Sequence, residues 1–217
     1  MIDFTRKGDS GMRRREFEMT DQREIEQFLE ESSFGFLSAV RPDGRPSITP
    51  LNFVYADGAV YFHGSRAGDK MDAIRSNPHA AFAVAREYAI IPSYFTDPVM
   101  ACPASAYFKS VLIAGRIEIV EDIAEKAMAL EAMMKKLQPE GGYEPIRPDD
   151  PRYAPRLKSV AVLKLVPSSI TAKFKFGQNL SDKERSAVTA GLLERGLPLD
   201  RETAGLMERY RPGAPQQ

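Results

Sequence analysis

Phe34-Gly35-Phe36-Leu37-Ser38-Ala39-Val40, Arg41-Pro42-Asp43-Gly44-Arg45-Pro46, Ser47-Ile48-Thr49-Pro50-Leu51-Asn52-Phe53-Val54-Tyr55, Ala56-Asp57-Gly58 and Tyr61-Phe62-His63 follow one another along the chain. Apolar runs of strand length are punctuated twice by Asp-Gly, the dipeptide that best tolerates the positive φ angles of tight hairpin turns. The stretch therefore predicts an antiparallel meander of three strands. Pro50 has no N–H to give to a ladder, so its strand is expected at a sheet edge or at a bulge.

The third strand runs into Gly64-Ser65-Arg66-Ala67-Gly68-Asp69-Lys70-Met71, a small polar loop that opens an amphipathic helix over 67–76. Such a loop can cradle an anion, because the N–H groups of the first helical turn have no partner inside the helix. Ser65 adds a hydroxyl, and Arg66 and Lys70 add positive charge. Many turns of this composition bind only water, so the loop by itself leaves both readings open.

Outward from this centre, Arg13-Arg14-Arg15 lies in a polar segment, 1–19, expected as a flexible arm. Thr20 and Asp21 cap a helix that carries Ile25, Phe28 and Leu29 on one face. Beyond Asn77-Pro78, a strand is expected at 80–85, then a long aromatic and Pro-containing connection, 86–103. A strand with Gly115 at a bend or bulge follows over 107–120. Asp122 and Glu125 open a helix with Ile123, Ala127, Leu130, Met134 and Leu137 at helical spacing, and its methionines read as core filler. A Pro-rich loop, 139–155, leads to the last strands, 158–176. Ser181 and Glu184 form a capping box for a C-terminal helix with Val188, Leu192 and Leu193. The expected division is the arm, a barrel domain over 20–176 and a helical extension over 177–217.

Composition narrows the class. The 217 residues can bury one substantial core, and 30 Lys plus Arg balance 30 Asp plus Glu. That balance disfavours a general nucleic-acid or anionic-membrane role. No apolar run has the length of a membrane span and the start shows no secretory core, which makes the cytoplasm the default expectation. One cysteine, Cys102, and two histidines, His63 and His79, are too few and too widely spaced for a structural metal site. Cys102 is expected to pack as a small apolar group and His79 to lie at the surface.

The chain resembles the FMN-binding split barrels of the pyridoxamine 5'-phosphate oxidase type, and within them the nitroimidazole-resistance (Nim) proteins. The resemblance rests on Thr49-Pro50-Leu51-Asn52, Tyr61-Phe62-His63, Gly68-Asp69-Lys70, Ile74-Arg75-Ser76-Asn77-Pro78, Cys102-Pro103, Tyr107-Phe108-Lys109-Ser110-Val111 with Gly115, and Glu121-Asp122 with Glu125-Lys126. It implies a mainly β fold, an antiparallel split barrel with peripheral α-helices. It further implies FMN, or FAD in its place, bound in a cleft between the subunits of a homodimer. Gly64, Ser65, Arg66 and Lys70 would hold the phosphate; Ile48, Thr49, Pro50, Leu51, Ser110 and Val111 would line the ring; Phe62 and His63 would sit near the ribityl chain or ring edge. His63 carries the implied redox role. Lys173 and Lys175 share one strand face, which is either solvated or, with Lys175 and Gln178, reaches the neighbouring site.

Read this way, the protein is an oxidoreductase that reduces a nitroaromatic or similar small electrophile, with NAD(P)H as donor. Pyridoxamine oxidase itself carries a C-terminal Arg-x-His motif for its substrate, which is not found here, so vitamin B6 oxidation is disfavoured. There is also no Gly-x-Gly-x-x-Gly fingerprint for a dinucleotide. Two alternatives are a non-catalytic flavin-binding regulator, suggested by Gln178-Asn179-Leu180-Ser181, and a haem-binding split barrel with His63 or His79 as axial ligand.

Overall fold

The computed structural model describes residues 12–213. In chain order the elements are β1 (Glu18–Met19), α1 (Gln22–Glu31), β2 (Phe34–Val40), β3 (Pro46–Asn52), β4 (Val54–Ala56), β5 (Ala59–Gly64), α2 (Asp69–Ser76) and β6 (His79–Ile91). They continue with β7 (Ser105–Val120), α3 (Ile123–Leu137), α4 (Ala154–Ser159), β8 (Ala161–Lys175), α5 (Asp182–Arg195) and α6 (Asp200–Arg209). Seven strands follow the order β3-β2-β6-β7-β8-β5-β4, and β1 pairs with β8 off that path.

Both Asp-Gly turns form, and at the second Asp57 (φ 49°) and Gly58 (φ 77°) have the positive φ pair of a tight hairpin. The three-strand meander does not. The expected strand 47–55 breaks at Phe53 into β3, which pairs only with β2, and β4, which pairs with β5. β3 and β4 thus stand at opposite edges of the strand order with one residue between them. Since consecutive Cα atoms are about 3.8 Å apart, the sheet must curl until its two edges meet at this corner.

Phe53 explains the break. Its ring is fully buried against Phe82, centroids 5.0 Å apart, and its N–H donates to Ser33 O (3.3 Å) rather than to a ladder. Lys136, in the last turn of α3, donates from Nζ to Phe53 O (3.3 Å) and Leu29 O (2.8 Å), tying the corner to the end of α1. Pro50 lies on the edge strand, where its missing N–H costs least.

The chain divides into two compact units. The first comprises 20–84 and 111–171. In it α3 covers β4 and β5 through a core of Val54, Tyr61, Val120, Ala129, Met133 and Val162. Asp21 caps α1 by accepting from the N–H groups of Arg23 and Glu24, and Asp122 caps α3 by accepting from Glu125. The loop expected over 139–155 gives way to α4, whose terminal carbonyls draw two cations. Buried Lys126 donates to Leu157 O and Val160 O (3.2 Å each), and Arg66 donates to Lys158 O and Ser159 O. Positive charge there offsets the helix dipole and occupies otherwise orphaned acceptors.

The second unit comprises, among the described residues, 12–19, 85–110 and 172–213. Of the expected arm, residues 1–11 lie outside the described residues. Residues 15–17 make a 3-10 turn that buries Phe17, and β1 pairs Glu18 with Lys173 and Met19 with Ala172. The capping box of Ser181 and Glu184 starts α5 as expected. Gly196 ends α5 in the left-handed region, and Arg195 holds α6 through a two-pronged bond to buried Asp200 (2.6 and 2.9 Å). β6 runs on to Ile91, longer than expected. Cys102 is exposed, contrary to expectation, because 98–104 forms a surface loop; His79 is exposed as expected. Among the described residues no helix is long and apolar enough to cross a membrane.

Burial pushes the Lys136 ammonium down to about 8, outweighing the Glu30 charge that favours its charged form. An unfolded lysine titrates near 10.5, so between pH 8 and 10 the unfolded chain holds more protons and stability rises with pH. Denaturant midpoints should therefore climb through this window, by roughly 1 kcal/mol per pH unit. Lys136→Met should flatten the climb, and an unchanged slope in that variant would contradict the assignment. Above pH 10 the trend reverses, since Tyr55 and Tyr107 are pushed up to about 12 by burial and favour the folded state less as unfolded phenols ionise.

Candidate functional site

β5 ends in the ladder pairs His63 with Val162 and Gly64 with Ala161, and the chain then leaves the sheet for the loop to α2. Phe62 faces inward and is fully buried. The Lys70 side chain folds back from the first turn of α2 over this strand end. Its Nζ lies 5.6 Å from the Phe62 ring centroid, and a Cβ added at Gly64 would meet it at 2.6 Å. Only a residue without a side chain lets the ammonium approach the main chain so closely. Burial lowers the Lys70 pKa, and among the described residues no carboxylate lies within ion-pair distance of it.

The rest of the loop suits an anion. Gly68 (φ 103°) starts α2 without a side-chain cap, so the N–H groups of Asp69 and Lys70 are left to solvent or a ligand. Ser65 Oγ accepts from the Ala67 N–H (3.2 Å), and its hydroxyl proton remains to donate. The two carboxylates of the first turn would repel an anion, but each has an arginine. Asp69 pairs with Arg41 (3.3 Å) and Asp72 with Arg75 (3.8 Å), while Arg75 also donates to Arg66 O (2.8 Å). Neither Arg41 nor Arg75 was given a role from the sequence, although Arg75 lies in the 74–78 segment of the resemblance and is spaced three from Asp72.

Arg66, expected beside Lys70 on the phosphate, directs its guanidinium instead to the carbonyls that end α4. His63 keeps solvent contact, and its Nδ1 lies 3.2 Å from Met133 Sδ. Burial first, and the Lys70 charge second, lower its pKa and so favour the neutral imidazole.

The residues expected to line a ring divide by face. On β3, Ile48 (69 % exposed) and Pro50 point outward, opposite Ser38 and Phe36 on β2; Thr49 and Leu51 point to the other face, opposite Leu37 and Gly35. The outward face continues through Phe34 and, across β6, Ala81 and Ala83, forming an exposed apolar surface. On β7, Val111 is fully buried and Ser110 half-buried on the opposite side of the strand. In the second unit, Lys175 hydrogen-bonds Ser105 Oγ. Gln178 clips its own turn, donating to Phe174 O (2.6 Å) and accepting from Phe176 N (2.8 Å).

An open antiparallel sheet that curls at Phe53, with peripheral helices and an anion-ready strand-to-helix loop, is a split β-barrel of the flavin-binding type. The sequence profile described as "Pyridoxamine 5'-phosphate oxidase" matches residues 21–174, and the chain belongs to that family. Similar solved structures include the flavocytochrome Anf3 from Azotobacter vinelandii (26 % identity, 77 % of this chain and 73 % of that one, TM-score 0.62). The FAD and haem binding protein from Mycobacterium smegmatis is 19 % identical over 79 % of this chain and 80 % of that one, with TM-score 0.62. A candidate 5-nitroimidazole antibiotic resistance protein from Bacteroides thetaiotaomicron is 22 % identical over 72 % and 85 %, with TM-score 0.57. Among curated proteins, none matches.

Proposed function

We propose that the protein is an FMN-binding oxidoreductase, cytoplasmic and homodimeric, that reduces a nitroaromatic or similar small electrophile with electrons from NAD(P)H. The observation that carries this reading is Lys70: a desolvated ammonium with no carboxylate partner among the described residues, folded over Gly64 beside an uncapped helix start. A group kept half-buried and unneutralised costs stability unless an anion completes it. The phosphate of FMN is such an anion, and the flavin, when bound, supplies the redox chemistry.

In this reading Lys70, the Ser65 hydroxyl and the N–H groups of Asp69 and Lys70 bind the phosphate. Arg66 holds the loop from behind through α4, and Arg75 fixes it through the Arg66 carbonyl. His63, neutral and set against Met133, can accept or relay a proton at the ring edge. The outward surface of Ile48, Pro50, Phe34 and Phe36 is of a kind that a second copy of the chain would cover, excluding water from the flavin.

The test is the visible spectrum of the purified chain before and after anaerobic NADPH. A flavin spectrum that bleaches, and recovers on adding a nitroaromatic, is the expected result. A flavin spectrum that NADPH leaves unchanged would turn the reading toward a binding regulator or another donor. A Soret band would replace flavin by haem.

A further inference from the structure

The second unit contains a cluster of positive charge that the phosphate loop at 64–70 does not include, although the family resemblance implies that one member, Lys175, reaches a neighbouring flavin site. The Arg14 guanidinium and the Lys173 and Lys175 ammoniums lie 5.4, 5.5 and 5.9 Å from the centroid of the same buried ring, Phe17. Lys173 also lies 5.5 Å from the Phe108 centroid, and Lys175 bonds the Ser105 hydroxyl. Both lysines are half-buried.

Among the described residues, the acidic groups nearby do not balance them. Glu16 is taken by Arg14 (3.0 Å), and Glu18, opposite Lys173 in the β1–β8 ladder, makes no ion pair with it among the described residues. Burial, then the charges of Lys173 and Arg14, lower the Lys175 pKa, so the cations disfavour one another as they stand. A ring can hold one cation at about 1 kcal/mol, but it does nothing to relieve repulsion among three. An oxyanion does both jobs at once, accepting from two ammoniums and a hydroxyl.

We infer that Lys173, Lys175, Arg14 and the Ser105 hydroxyl form an oxyanion site of their own, which takes the phosphate or carboxylate group of a small molecule other than the flavin. Phe17 and Phe108 make its apolar floor. Every residue in the site belongs to the second unit, whereas the 64–70 loop belongs to the first.

The test uses the full chain with Lys70→Met, which silences the loop, and inorganic phosphate as probe. Phosphate should raise the unfolding temperature in a saturable way. Adding Lys173→Met and Lys175→Met should abolish that rise, and without phosphate the same chain should unfold no earlier than its parent, since a repulsion has been removed. If the double change does not fold, Lys175→Met alone should weaken the rise and Lys175→Arg should keep it. A rise that survives the substitutions, or no saturable rise in the parent, overturns the site. Loss of flavin absorbance when the two lysines are changed in the otherwise native chain would also overturn it, by assigning the cluster to the cofactor.

Discussion

Lys70→Met is expected to weaken FMN binding by about tenfold to a hundredfold, the range that loss of one charge-assisted contact to phosphate produces. The fold should survive, and without ligand it should be no less stable than the parent. Burial already lowers the Lys70 pKa, so in the empty chain the ammonium is a desolvated charge without an ion-pair partner among the described residues. Methionine keeps the packing on Phe62 and removes the charge. Stability and binding thus move in opposite directions, a pattern typical of binding sites. Denaturant unfolding and flavin fluorescence titration of the same variant check both halves. A variant that binds FMN as tightly as the parent would remove Lys70 from the site.

Gly115→Ala is expected to destabilise the first unit by about 3 kcal/mol or more, toward the severe end of overpacking. The new Cβ would lie 2.1 Å from Val166 O, 2.9 Å from its carbonyl carbon and 3.0 Å from Pro167 Cα. All three are main-chain atoms of β8, so no side chain can rotate away and the strands themselves must part. Gly205→Ala, in open space on α6, is the control and should be neutral or slightly stabilising. Denaturant midpoints of the two variants decide the matter, and equal midpoints would contradict the close approach of β7 and β8.

The sequence revealed what local chemistry determines. Asp57-Gly58 specified its turn through φ, Asp21 and Asp122 specified helix starts through their carboxylates, and Ser181 with Glu184 completed a capping box. What it hid depends on residues far apart along the chain. The split at Phe53 follows from burial against Phe82 and the reach of Lys136, neither of which leaves a mark in a local pattern. α4 was hidden at the boundary between the expected loop, 139–155, and the strands expected from 158, because the cations at its end, Arg66 and Lys126, come from distant segments. For the same reason the bonds of the Arg66 guanidinium to the carbonyls that end α4 left no mark in the local pattern. The approach of Lys70 to the strand end was legible in part, because its position in the first turn after the 64–68 loop already puts it near that end.

The most direct test of the central claim, that the 64–70 loop receives the phosphate of a flavin, is to compare FMN with riboflavin in equilibrium titrations of the chain freed of ligand. FMN should bind at least about tenfold more tightly in the native chain, and the difference should largely vanish in Lys70→Met. Equal affinities in the native chain would mean that the loop does not hold the phosphate, and the claim would fall.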